Sequence, residues 1–145
     1  MVATALDEGG RLVTGGRPPE DPQLAEGAFF LPTIIAGLPN SASICQQEVF
    51  GPVLVVLPFD DEDDLLAQAN DSPFGLASGI WTADYQRAWR IARLLEAGTV
   101  WINTYKQLSI ATPFGGFKDS GLGREKGIGG MRLYQQTKAI YLGLS

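Results

Sequence analysis

The stretch VLVVLPFDDEDDLLAQANDSPFGLASGIW, Val53 to Trp81, decides how this chain is read. It opens on an apolar run, Val53 to Phe59, interrupted only by Pro58. Such a run suits a strand covered on both faces, as in a parallel sheet. The acids Asp60 to Asp64 follow. Asp60 or Asp61 can cap a helix by accepting backbone N–H bonds, and acids in the first turn sit at the positive end of the helix dipole. Leu65, Leu66 and Ala69 form the expected inward stripe. The same acids invite a calcium reading, but the spacing and glycine of an EF-hand loop are missing. Leu76 to Trp81 then reads as a second strand, so the stretch is a strand, a helix and a strand.

Working outward, the pattern continues. Upstream, Val2 to Glu8 reads as the end of a helix stopped by Gly9-Gly10, an opening that hints at a preceding segment. Arg11 to Thr14 and Phe29 to Ile35 read as strands, separated by a Gly/Pro-rich surface loop over 15–26. Leu38 to Ser43 turns back. Downstream, Asp84 starts a helix running to Leu95, with Ala88, Ile91, Ala92 and Leu95 at i, i+3, i+4, i+7 on the core side. Gly98 closes it and Thr99 to Ile102 is the next strand. A short helical turn over Met131–Gln135 and an edge strand over Thr137–Leu142 are expected last. The alternation predicts an α/β fold, a layered, largely parallel sheet flanked by helices.

Composition limits the chemistry. The chain has 145 residues, 45% of them apolar, enough for a packed core. Eleven basic and sixteen acidic residues give a net charge of −5, and no Lys/Arg cluster suggests a nucleic-acid partner. The absence of histidine removes the commonest metal ligand and general base, so no metal site and no Ser-His-Asp or Cys-His catalyst is expected. One cysteine, Cys45, excludes an internal disulfide. No apolar run is long enough to span a bilayer and no basic leader opens the chain, so a cytoplasmic location is expected.

The segment PFGGFKDSGLGREKGIGG, Pro113 to Gly130, is dense in glycine. It is not a nucleotide loop: Lys126 breaks the G-x-G-x-x-G pattern, and no Gly-Lys-Ser/Thr occurs. Tight turning and close backbone packing explain the glycines better.

Taken in order, GGRLVTGG, FFLPTII, EVFGPV, FGLASG, VWIN, PFGGFKDSGLGRE and YQQTKAIYL resemble the NAD(P)-dependent aldehyde dehydrogenase superfamily over nearly the whole chain. The resemblance implies that residues 1–135 are the later part of the catalytic domain and 136–145 a terminal oligomerisation strand. It also implies a subunit about three times as long, in which the nucleophilic cysteine, the general-base glutamate and the oxyanion-hole asparagine lie upstream. Cys45 does not match that nucleophile. Free cysteines are mostly small buried hydrophobes, and no cation lies nearby in sequence to lower its pKa, so Cys45 is expected to be structural and no catalytic residue is expected here.

Other residues carry roles by resemblance. Glu48 would accept hydrogen bonds from the nicotinamide ribose of NAD or NADP, a task suited to two carboxylate oxygens facing two adjacent hydroxyls. Phe50 would pack near the nicotinamide. The loop YKQLSIAT, Tyr105 to Thr112, would line the aldehyde entrance, with Leu108 in the channel and Phe114 in an aromatic wall, suiting an apolar or flat tail. Lys106 and Gln107 add polarity at the mouth, which fits a carboxylate-bearing substrate or a merely solvated lysine. Arg124 would act structurally near a subunit interface. Its frequent carboxylate partner is here Gln136, which can form only neutral hydrogen bonds, while Lys138 matches the family pattern. The expectation is the C-terminal portion of a homo-oligomeric aldehyde-oxidising enzyme, inactive alone. The alternative is a non-catalytic module that self-associates through its terminal strand.

Overall fold

The structure is a computed structural model that describes residues 1–144. Ser145, the last residue of the expected terminal strand segment, lies outside the described residues. The chain divides into two compact units, Met1–Ser72 and Pro73–Ser145.

In the first unit, helix α1 (Val2–Asp7) ends at Glu8, and Gly9 takes the left-handed position beyond it at φ +98°. Strand β1 (Arg11–Thr14) pairs antiparallel with β2 (Thr33–Ala36), and β2 pairs parallel with β3 (Val53–Val56). The expected strand over Phe29–Ile35 begins late, at Thr33. Pro32 has no N–H for a ladder. Thr33, only 2% exposed, anchors the entry: its hydroxyl donates to the Leu31 carbonyl (2.7 Å) and accepts from Gly16 N–H (2.8 Å). The core gathers Ala5, Ile35, Leu38, Ala42 and Ile44. Ile44 lies in a single helical turn, α2 (Ser43–Gln46).

The strand over the apolar run stops at Val56, short of Pro58. Its expected burial on both faces is not met within this unit. Val53 and Val55 pack against the core, while Leu54 and Val56 stay 58% and 47% exposed. Helix α3 (Glu62–Asn70) starts as predicted. The Asp61 carboxylate accepts from Asp64 N–H at 2.9 Å, with Glu62, Asp63 and Asp64 in the first turn. Of the expected inward stripe, Leu65 and Leu66 are half-buried, but Ala69 is exposed.

In the second unit, the single strand expected over Leu76–Trp81 is split. Strand β4 (Phe74–Gly75) pairs antiparallel with β7 (Phe117–Lys118), and β5 (Ala77–Ile80) pairs parallel with β6 (Thr99–Ile102). The chain changes partner at Leu76: Gly75 N–H donates to the Ser120 hydroxyl (3.0 Å), and the Gly75 and Leu76 carbonyls accept from Gly98 and Thr99 N–H (3.0 and 3.2 Å). Helix α4 (Tyr85–Leu94) connects β5 to β6, capped by Asp84, whose carboxylate accepts from Arg87 N–H at 3.0 Å. Ala88 and Ile91 are buried, and Ala92 and Leu95 half-buried, as the spacing predicts. Helix α5 (Gly127–Arg132) begins four residues before the expected turn at Met131, after Lys126 at φ +63°.

Residues 133–144 form no helix or strand. An edge strand over Thr137–Leu142 needs a ladder partner, and among the described residues it has none. The α/β fold class is as expected; among the described residues the strands form three small sheets, and the two four-residue parallel pairings, β2–β3 and β5–β6, are those the alternation predicts.

Candidate functional site

In the first unit the turn Glu48–Pro52 hangs from the core by its two ends. Val49 packs against the core cluster. Thr33 N–H donates to the Pro52 carbonyl at 2.8 Å, and Val53 N–H to that of Gly51 at 2.8 Å. Between these anchors Phe50 takes φ +48° and stands 94% exposed. Bulky residues avoid this backbone region, at a cost of about 1–3 kcal/mol, and a fully displayed phenyl ring gains nothing from burial. The strain and the exposure both make sense for a side chain held out toward something else. Glu48, one alternation step before it, is also exposed. Among the described residues no side chain or backbone donor is bonded to its carboxylate, so both oxygens are available to a diol.

Cys45 sits in α2 three residues earlier, half-buried against the core cluster. Burial pushes its thiol up from the ordinary value, and Glu8 nearby pushes it further. Glu8 is held close by accepting from Ser43 N–H at 3.1 Å. This environment disfavours the thiolate, the opposite of what a nucleophile needs.

In the second unit the strand β6 delivers an aromatic loop. The Trp101 indole N–H donates to the Gln107 carbonyl at 2.8 Å, and the Tyr105 ring meets the Trp101 ring edge-on, centroids 5.3 Å apart. Leu108 is exposed on this loop. Phe114 is half-buried and locked by a reciprocal backbone bridge to Glu125, 2.9 and 2.7 Å. The Lys106 ammonium lies 5.5 Å from the Tyr105 ring centre, and the Lys126 ammonium 5.9 Å from that of Phe114. Phe114 and Arg124 share a cavity of about 280 Å³ with Leu76, Leu122 and Leu133. Leu108 does not line it.

Arg124 is satisfied by its own loop. Its Nη1 donates to the carbonyls of Gly116 (2.9 Å) and Gly123 (2.6 Å), and the guanidinium stacks 5.3 Å from the Phe117 ring centre. Gln136 and Lys138 are exposed in the irregular tail. The glutamine in place of a carboxylate therefore leaves Arg124 with partners.

Two supporting residues escaped the sequence reading. Asn103, at φ +53°, clasps Thr82 with both ends of its amide (2.9 and 2.8 Å), tying the end of β6 to that of β5. Its position closing V-W-I-N, and asparagine's tolerance of left-handed backbone, were the available signals. The second is Ser120, whose bond to Gly75 couples the glycine-rich segment to β4. No helix among the described residues is long and apolar enough to cross a membrane.

The class of protein follows from a family profile. The profile "Aldehyde dehydrogenase family" matches residues 1–140, so the chain belongs to the aldehyde dehydrogenase family. It is 47% identical over 137 residues to betaine aldehyde dehydrogenase 1 of Rhizobium meliloti (strain 1021), covering 94% of this chain and 28% of that one. A betaine aldehyde dehydrogenase of Brucella melitensis is 45% identical, covering 93% and 28%. Among solved structures, a Mycobacterium tuberculosis aldehyde dehydrogenase complexed with NAD+ matches with a TM-score of 0.91 and 42% identity, over 98% of this chain and 29% of that one. A betaine aldehyde dehydrogenase of Staphylococcus aureus in complex with NAD+ gives 0.89 and 41%, over 92% and 27%. The chain thus spans a little over a quarter of the length of the relatives it matches.

Proposed function

We propose that this chain is the C-terminal portion of an NAD(P)-dependent aldehyde dehydrogenase that oxidises an aldehyde to a carboxylic acid, and that it is inactive alone. The observation that carries the reading is the family match over residues 1–140 by a chain covering only 28% of its relative's length. The displayed Glu48–Phe50 turn fits the cofactor. NAD(P), when bound, supplies the hydride acceptor. Glu48 offers two free acceptor oxygens to the ribose hydroxyls, and Phe50 is held rigidly outward to pack beside the nicotinamide. Leu108 and Phe114 contact the aldehyde's tail. Cys45 stays a protonated packing group and takes no part. The nucleophile belongs to a part of the subunit that this chain does not contain, and the enzyme is cytoplasmic.

Self-association fits the tail. Residues 133–144 leave Ile140, Tyr141 and Leu142 84%, 93% and 83% exposed, an apolar edge suited to pairing with another copy, with Arg124, Gln136 and Lys138 near that contact. A purely structural, self-associating module is the second reading this tail supports.

Two measurements separate the readings. The intact mass of the natural protein is expected to be several times 15.6 kDa. The isolated chain is expected to make no NADH from NAD+ and any aldehyde. NADH formation that disappears in Cys45→Ala overturns the proposal.

A further inference from the structure

Resting on the reading that the Tyr105–Phe114 loop faces the aldehyde, we propose that this loop rejects positively charged aldehydes and takes aldehydes that carry no positive charge, because its own lysines cover its aromatic faces. Betaine aldehyde, named for the relatives, carries a quaternary ammonium group. Such a cation is recognised over the face of an aromatic ring. Two rings of this loop could offer that face, and each already carries an ammonium: Lys106 5.5 Å from the centre of Tyr105, and Lys126 5.9 Å from that of Phe114. Lys106 directly follows Tyr105, with its backbone at φ +56° beside the Trp101–Tyr105 pair, so its ammonium stays within reach of that ring. Swinging either lysine away frees a ring face but leaves a like charge beside the incoming cation, so repulsion remains.

The surrounding charges do not reverse the sign. Between Tyr105 and Lys126 the chain carries Lys106, Lys118, Arg124 and Lys126 against Asp119 and Glu125. Lys118 is drawn to Glu96 at 2.6 Å, and Arg124 is held by carbonyls. Asp119 and Glu125 are exposed to solvent, as Lys106 is, so screening weakens both signs alike and the stretch keeps its excess of positive groups. Leu108 and Ile110, both exposed on the loop, offer apolar contact to an uncharged tail.

The first test uses the chain itself, titrated with tetramethylammonium chloride while the ring protons of Tyr105 and Phe114 are followed by NMR against a sodium chloride control. No saturable shift is expected, and a saturable shift in the unaltered chain overturns the proposal. The second test uses a chimera carrying this chain in place of the matching 28% of the Rhizobium meliloti relative. Its kcat/KM is compared for betaine aldehyde and for tert-butylacetaldehyde, the uncharged isostere. The ratio of charged to uncharged substrate is expected to fall about tenfold from that of the parent enzyme and to recover in Lys106→Gln/Lys126→Gln, as removal of a like-charge repulsion requires. An unchanged ratio overturns the charge proposal. Failure of the underlying reading looks different: Leu108→Ala and Phe114→Ala then leave kcat/KM for both aldehydes unmoved.

Discussion

The two units of the chain reach order by different means. Met1–Ser72 packs side chains: Ala5, Ile35, Leu38, Ala42 and Ile44 form one apolar cluster around the β2 strand. Among the described residues of the second unit the buried apolar side chains are Ala88 and Ile91, both on α4, and the other buried positions are glycines: Gly75, Gly116 and Gly130. There the backbone itself is packed. A Cβ built on Gly98 would lie 1.7 Å from the Gly115 carbonyl oxygen, and one on Gly75 would lie 2.3 Å from that of Glu96. The first unit also has close main-chain approaches, a Cβ on Gly15 falling 2.3 Å from the Pro32 carbonyl oxygen, but it adds a cluster of buried side chains that the second unit does not match. A side-chain core relaxes partly around a cavity, whereas backbone against backbone has no rotamer to adjust.

The strongest way to break this contrast is Gly98→Ala. Its methyl group meets a carbonyl rather than a flexible side chain, so β6 and the Gly115–Gly116 turn cannot both keep their places. The expected cost exceeds about 4 kcal/mol, in the range reserved for such gross overpacking. Amide dispersion from the second unit should collapse while Ile35 and Ile44 methyl signals persist. Retention of both sets would show that the glycine packing is loose.

Ile35→Ala is the matching test in the first unit. Ile35 is fully buried in the middle of the core cluster, and the truncation should cost about 2–4 kcal/mol by lost transfer energy and a residual cavity. Urea unfolding followed by signals of each unit measures it. A loss well below 1 kcal/mol, the scale of an ordinary surface change, would place the first unit's stability elsewhere.

This contrast also explains how much was legible. The helix starts at Asp61 and Asp84 follow from short acceptors ahead of an apolar stripe, and the structure shows both caps. The β5–α4–β6 unit follows from alternation and the i, i+3, i+4, i+7 stripe. What periodicity could not supply was pairing. At the split between β4 and β5, Gly75 bonds to Ser120, 45 residues away in sequence. The late start of β2 depends on Thr33 reaching Gly16. The single helical turn that holds Cys45 is too short to have a period. For the site, motif resemblance pointed to Glu48 and Phe50, but hydropathy would bury the phenylalanine; only the left-handed backbone shows that it is turned outward. The Lys106 and Lys126 ring contacts join residues that no local pattern couples.

The caps provide a finer comparison, because each unit has one of the same design. Asp61→Ala and Asp84→Ala should each cost about 1 kcal/mol, the usual worth of a side-chain N-cap. Helix α3 also carries a pH dependence of its own, through Asp64. Asp64, in the first turn of α3, is held below the usual carboxylate range by the Gln68 side chain and by the Asp60 N–H. A lowered folded-state pKa contributes stability above the unfolded value that is lost as pH falls through the folded one. Acid titration should therefore fray α3, read from the Gln68 side-chain amide signals, and Asp64→Asn should remove that transition. Phe50→Gly belongs on the same scale with the opposite sign. Relieving the left-handed strain should stabilise the first unit by roughly 1 kcal/mol, while the cofactor contact proposed for Phe50 should weaken in a full-length enzyme.

The smallest expected effect concerns the thiol that the sequence sets beside the E-V-F-G-P-V turn. Burial against the first unit's core, and secondarily Glu8, raise the Cys45 pKa above its ordinary value. For a group raised in the fold, the stabilising contribution is complete below the unfolded value and is lost as pH rises through the folded one. The loss is confined to alkaline solution and should be a fraction of a core truncation. Reactivity reports it more sharply than stability, because the thiolate is the species that alkylates. Iodoacetamide should modify Cys45 more slowly than an unstructured cysteine peptide across neutral pH, with the inflection of the rate displaced upward. Glu8→Gln should bring the inflection part of the way back, since the charge is the lesser cause and burial remains. A rate faster than the peptide's, or an inflection below it, would mean that the turn activates the thiol, and both the packing role of Cys45 and its exclusion from chemistry would have to be given up.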